Sequence, residues 1–164
     1  MQKPIFIILA IMLALTGGCT KENASRPKSG TEKKHAGKTM IGSEPERIEV
    51  QHILISFQGA IPGDSVARTM EEANRLAYEL LKRARAGENF GALVKEYSDD
   101  QFPGIYRMSN AGIEPDLTKQ EYSRDKMVKA FGDVGFSLGV GEIGIAAYDS
   151  TASKYGWHVI KRLK

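Results

Sequence analysis

Gln51-His52-Ile53-Leu54-Ile55, early in the chain, and Gly156-Trp157-His158-Val159-Ile160-Lys161, at its end, decide the fold. Both are β-rich runs whose side chains alternate between two faces. His52 shares a face with Val50 and Leu54, and His158 shares one with Ile160. If the first and last strands are neighbours, the two imidazoles meet on one face of one sheet, within hydrogen-bonding reach of each other or of one shared group. Burying two histidines costs free energy unless each is hydrogen-bonded and at least one is neutral. The pair reads either as satisfied core histidines or as a site. Its matched placement, with the acidic pair Asp99-Asp100 between, tilts the reading toward a site.

Residues 48–57 make the opening strand. Residues 58–67 form a loop around Gly59, Pro62-Gly63-Asp64 and Ser65. Thr69 followed by Glu72 is a capping box. The helix it opens runs to about residue 86, with Ala73, Leu76, Ala77, Leu80, Leu81 and Ala84 on one face, and Gly87 ends it. Asn89 caps a second helix carrying Phe90, Leu93, Val94 and Tyr97. Residues 99–104 are a loop, 105–108 a short strand and 110–123 a polar excursion. A short helix over about 124–131 presents Met127, Val128, Ala130 and Phe131. Residues 141–148 lead into a strand, and 156–163 close the chain as the last one. The order β-α-α-β-α-β-β contains too few βαβ units for a parallel sheet. It predicts an α+β fold with an antiparallel sheet whose first and last strands are adjacent.

The chain has 164 residues, 41% hydrophobic and 26% charged, which fits one domain plus accessories. One Cys excludes a disulfide framework and a Cys-based zinc site. The three His, at 35, 52 and 158, are too scattered for a short metal-ligand motif. A net charge of +3 gives no argument for nucleic acid. Lys3 is the only charge before Cys19, and residues 5–15 are an unbroken apolar run of eleven, about half a ~30 Å hydrocarbon core. Positive start, short apolar core and small-residue exit make a secretory signal. The exit Leu15-Thr16-Gly17-Gly18-Cys19 resembles a bacterial lipobox, with Leu15 four rather than three residues before the Cys. An ordinary signal with an incidental Cys is the alternative. The lipobox predicts lipidation of Cys19, and two or more acyl chains would hold the protein stably at a membrane. Residues 20–43 carry six basic and two acidic side chains and almost no large apolar ones, so they read as a disordered basic tether. The expected organisation is a signal peptide at 1–18, lipidated Cys and tether at 19–43, and a domain at 44–164. The domain then sits in the cell envelope on the periplasmic side, and Thr20 after the Cys points to outer-membrane sorting in a cell like the enterobacteria.

No Walker A, HExxH, GxSxG or Cys-x-x-Cys occurs. Gly139-Val140-Gly141-Glu142-Ile143-Gly144 matches GxGxxG only in letters: no βαβ unit surrounds it, and it reads as a turn. Asp99 and Asp100, adjacent on an extended chain, diverge and do not converge on one ion.

His52-Ile53-Leu54-Ile55, Arg68-Thr69-Met70-Glu71-Glu72-Ala73, Gly87-Glu88-Asn89-Phe90, Tyr97-Ser98-Asp99, Met127-Val128-Lys129-Ala130-Phe131, Phe136-Ser137-Leu138, Val140-Gly141-Glu142-Ile143 and Tyr155-Gly156-Trp157-His158-Val159-Ile160-Lys161 together resemble the parvulin-type (PpiC-like) peptidyl-prolyl cis/trans isomerases. The likeness is collinear from about 48 to 163. It implies a four-stranded antiparallel sheet surrounded by three to four helices. By position, His52 and His158 match the family's paired histidines, and Asp100 falls where a Cys or Asp faces the substrate carbonyl; these three are the implied catalytic residues. Met127 and Phe131 match the proline-pocket pair, Tyr148 falls near another pocket aromatic, and Tyr106 near a family Leu. As a groove residue, Phe131 is expected to be partly exposed. The sequence departs from the family at Pro103-Gly104-Ile105-Tyr106-Arg107, in an insertion at 111–123, and in a longer 149–154.

The resemblance implies non-covalent isomerisation of X-Pro bonds in unfolded or proline-containing exported polypeptides, without metal or cofactor and without nucleic acid. Residues 58–67 hold no Lys or Arg, and only Arg68 follows, which argues against phosphate-selective substrates. A non-catalytic parvulin-like module that binds peptides as a chaperone or assembly factor is the alternative.

Overall fold

β1 (Arg47–Ile55) lies at the centre of the sheet because both of its faces are apolar: Val50, Ile53 and Ile55 are fully buried, and Leu54 nearly so. The computed structural model describes residues 44–164. The signal peptide, Cys19 and the tether fall outside the described residues. After β1 come α1 (Met70–Arg85), α2 (Phe90–Tyr97), β2 (Ile105–Ser109), β3 (Glu121–Ser123), α3 (Lys129–Ser137), β4 (Ile143–Ala146) and β5 (Trp157–Arg162). The sheet order is β3-β2-β1-β5-β4. β1 pairs antiparallel with β5, His52 opposite Ile160 and Leu54 opposite His158, so the first and last strands are neighbours.

Two layers cover the sheet. On one face Ile53, Ile55, Trp157 and Val159 pack against Ala73, Ala77, Leu80 and Leu81 of α1 and Leu93 and Val94 of α2. On the other, Ile48, Val50, Met108 and Ile160 pack against Phe131 and Phe136 of α3. The strand period of two explains the split: Trp157 and Val159 look one way, His158 and Ile160 the other. α1 is set by its ends. The Thr69 hydroxyl accepts from the Glu72 N–H and the Glu72 carboxylate accepts from the Thr69 N–H, the expected capping box. Among the described residues no helix is long and apolar enough to cross a membrane.

Two elements differ from the sequence reading. The sheet has five strands, not four, and is mixed: β3 runs parallel to β2, with Arg107 opposite Glu121 and Ser109 opposite Ser123. The polar excursion returns to the sheet because Glu121 is held. Its carboxylate accepts from Arg47 Nε at 3.2 Å and from the Asp116 N–H at 2.8 Å. The third helix also starts later. Residues 124–126 form a 3-10 turn, Met127 is extended, and α3 runs from Lys129 to Ser137. Gly132 and Gly135 look like breakers in sequence. In the fold Gly135 lets the helix lie close on the sheet, since a Cβ there would stand 3.2 Å from both Ile48 and Met108, while Gly132 faces Arg124.

Candidate active site

β2 leaves β1 after the Gln51–Ile105 pair, and the rest of β1's edge needs other partners. The loop after α2 supplies them. Gly104 O accepts from the His52 N–H at 2.9 Å, Ser98 Oγ from the Leu54 N–H at 3.1 Å, and Asp99 Oδ2 from the Ser56 N–H at 2.8 Å. Gly104 must be glycine: its φ is +66°, and a Cβ would lie 2.7 Å from His52 O. This stitching separates the two aspartates, as their adjacency predicts. Asp99 turns to β1 and pairs with Arg68, while Asp100 turns to the histidines.

His52 Nε2 is 2.8 Å from Asp100 Oδ2, and His52 Nδ1 is 3.2 Å from His158 Nδ1. The Tyr106 hydroxyl donates to the same Asp100 oxygen at 2.6 Å, and the Gln101 N–H donates to the other oxygen at 2.8 Å. Both histidines are buried. An ionised carboxylate only accepts, so His52 Nε2 carries a proton. With His52 neutral, its Nδ1 accepts from His158 Nδ1–H, and His158 Nε2, buried and without a protein partner, is a bare lone pair. A second proton on His52 reverses that bond and leaves a buried N–H unpartnered.

The electrostatics follow from these contacts. Burial above all, with the neighbouring His52 second, pulls His158 down to about 3, so it is neutral near pH 7. Hydrogen bonds, from His52 first and then from Tyr106 and the Gln101 N–H, hold the Asp100 carboxyl well below the usual carboxylate range against the opposing effect of burial. Burial and the carboxylate it donates to push the Tyr106 phenol well above its ordinary value.

A cavity of about 380 Å³ opens over this group. His52, Asp100, Tyr106, Met127, Phe131 and His158 all line it. Around His52, the rings of Tyr106, Phe131 and His158 stand 5.1, 5.0 and 5.3 Å away, centre to centre. Three details differ from the sequence reading. Phe131 is 2% exposed rather than half-open, because Tyr106 and both histidines pack around its ring. Met127 follows the 3-10 turn and precedes α3 instead of sharing a helical face with Phe131, yet both line the cavity. Tyr148 does not line the cavity. It lies edge-on to Phe57 at 5.0 Å and against Trp157 at 5.5 Å, both in the α1–α2 layer. Tyr155 lines the cavity instead. The turn over 149–153, closed by Ser153 N–H to Asp149 O, sets which aromatic comes over the sheet, and the sequence offered no signal for the choice. Leu54, Ile61, Pro62 and Val128 also line the cavity, and the sequence reading gave none of them a place in the pocket. Among the described residues no group of three or more His, Cys, Asp or Glu could hold a metal ion.

An α+β domain with paired histidines from its first and last strands under an apolar cavity defines a parvulin-like class. The family model described as the PPIC-type PPIASE domain matches residues 33–164, and the chain belongs to that family. The chain is 38% identical over 124 residues to foldase protein PrsA of Geobacillus kaustophilus, covering 76% of this chain and 40% of that protein. It is 34% identical over 112 residues to chaperone SurA of Chromohalobacter salexigens, covering 68% of this chain and 21% of that one. It thus spans about a fifth to two fifths of these relatives' length. Among solved structures, the solution structure of TbPIN1 superposes with a TM-score of 0.53 at 26% identity, over 73% of this chain and 98% of that one. The peptidyl-prolyl isomerase ESS1 from Candida albicans shares the fold, with a TM-score of 0.52 at 21% identity over 73% of this chain and 63% of that one. The membership supports a peptidyl-prolyl isomerase or chaperone-like function in general.

Proposed function

We propose that this chain catalyses cis/trans isomerisation of X-Pro bonds in unfolded exported polypeptides. The carrying observation is the join of an apolar cavity to a buried polar group, His158–His52–Asp100–Tyr106. Rotation about an X-Pro amide meets a barrier of ~18–20 kcal/mol from the double-bond character of C–N. Water supports that character by stabilising the charge-separated resonance form. Met127, Val128 and Phe131 hold the proline ring in apolar surroundings and withdraw that support. The twisted carbonyl rotates beside the Asp100 charge and the imidazole dipoles, which act electrostatically and not as nucleophiles. Lowering the barrier by ~4 kcal/mol accelerates the step about a thousandfold. Arg68, the cation nearest the loop at 58–67, is engaged by Asp99 and Ser56 O, which supports substrates without phosphate.

Residues 1–18 act in this reading as a signal peptide and Cys19 as the lipidated mature N-terminus. Residues 20–43 are the tether that lets the domain at 44–164 work on the periplasmic side of a membrane. A second reading, a peptide-binding chaperone without catalysis, is favoured by one observation: both oxygens of Asp100 are already engaged, by His52 and Tyr106 on one side and the Gln101 N–H on the other. A protease-coupled assay on Ala-Pro tetrapeptides decides between them. Isomerase activity predicts a rate that rises in proportion to enzyme. A flat rate from a protein that still binds the peptides identifies the chaperone.

A further inference from the structure

The insertion at 111–123 departs from the family pattern and borders a second cavity of about 490 Å³, lined in part by Ile113, Pro115, Leu117 and Tyr122. Leu117 is 77% exposed and Tyr122 50% exposed. Neither is there for want of order. The insertion is pinned by Arg47 Nη2 donating to Glu114 O at 3.0 Å, by the Asp116 N–H donating to Glu121 at 2.8 Å, and by the Asp116 carboxylate capping the Thr118 N–H at 3.1 Å. An ordered turn thus presents a leucine and a tyrosine to solvent at the same cavity.

This surface is continuous with the candidate active site. Tyr106 alternates with Met108 on β2, Met108 is opposite Tyr122 on β3, and paired residues of parallel strands share a face. The Tyr106 ring, a wall of the first cavity, stands 5.7 Å from Phe131 on one side and 6.0 Å from Tyr122 on the other. These two steps match about three residues of extended chain at ~3.3–3.6 Å each. The charged residues at the second cavity are mixed: Lys126 and Glu114 flank it, and Glu121 is paired with Arg47, so no sign of charge is selected.

We propose that the insertion is a second subsite for the same extended polypeptide, taking an apolar or aromatic side chain three or four residues from the isomerised proline. The proposal rests on the prolyl-isomerase reading and adds a substrate class to it: segments of unfolded chain with a large apolar residue near proline.

The test uses the full chain and two ten-residue peptides with a central Ala-Pro, one carrying Phe and the other Ser at the third and fourth positions on both sides. The wild type is expected to favour the Phe peptide about five- to tenfold in kcat/KM. The ratio should fall toward one in Leu117→Ser and in Tyr122→Ser, and Tyr122→Phe should restore it, since the ring and not the hydroxyl makes the contact. Leu117 is exposed enough that its replacement does not threaten the core. An equal ratio in wild type and Leu117→Ser overturns the subsite. If the tetrapeptide shows no catalysis at all, the isomerase reading fails by itself. Fluorescence anisotropy with labelled copies of the two peptides then tests the subsite alone: a Phe preference lost in Leu117→Ser supports it, and equal affinities refute it.

Discussion

Lowering the pH from 7 to 5 should destabilise this domain through one side chain. His158 titrates near its ordinary 6.5 in the unfolded chain and is drawn down to about 3 in the folded one. Between those values the unfolded state binds more protons, so stability is present above pH 6.5 and is lost as pH falls through the window. At pH 5 the unfolded histidine is 1.5 units below its pKa while the folded one is still neutral, which gives a loss of about 2 kcal/mol at 1.36 kcal/mol per unit. Asp100 is also shifted, but downward from 3.8, so its contribution is lost only below that value and is silent between pH 7 and 5. The assay is urea unfolding of wild type and His158→Gln at both pH values. With m of ~1–3 kcal/mol/M, the wild-type midpoint should fall about 1 M further than the variant's. Equal falls in the two proteins would refute the burial argument for His158.

Phe131→Ala should destabilise by ~3–5 kcal/mol, as for a closed core, and should also lower the isomerase rate per folded molecule; urea midpoint and rate on the same samples check both. An unchanged rate on the folded fraction would remove Phe131 from the cavity chemistry. Gly156→Ala should abolish cooperative folding, because φ is +137° and the new Cβ would lie 2.2 Å from Ile55 O; loss of the thermal unfolding transition is the readout. Cys19→Ala should eliminate labelling by a radioactive fatty acid, and equal label on both proteins would sink the lipid anchor.

The parts of this fold that follow a local rule were legible in the sequence. Period-two alternation put His52 and His158 on one face, and Thr69 with Glu72 marked the start of α1 to the residue. What was not legible depends on distant partners. β3 is polar, Glu121-Tyr122-Ser123, and exists because Arg47, 74 positions away, meets Glu121. α3 continues past Phe131 through Gly132 and Gly135, and at Gly135 the missing side chain lets the helix lie close on Ile48 and Met108 of the sheet. Tyr155 replaces Tyr148 at the cavity through the geometry of the turn at 149–153, which no periodicity encodes. The engagement of Asp100 by Tyr106 was hidden because the likeness matched that position to a Leu, which has no hydroxyl to donate.

In the proposed function the cavity over His52, His158 and Asp100 turns X-Pro bonds over. NMR exchange spectroscopy on an Ala-Pro peptide with a substoichiometric amount of the full chain tests it most directly. Uncatalysed exchange takes tens to hundreds of seconds and gives no cross-peaks at sub-second mixing times. Cis–trans cross-peaks are expected with the wild type, and their loss with Asp100→Ala. Peptide resonances that shift on binding without exchange cross-peaks would contradict this function and leave a peptide-binding module.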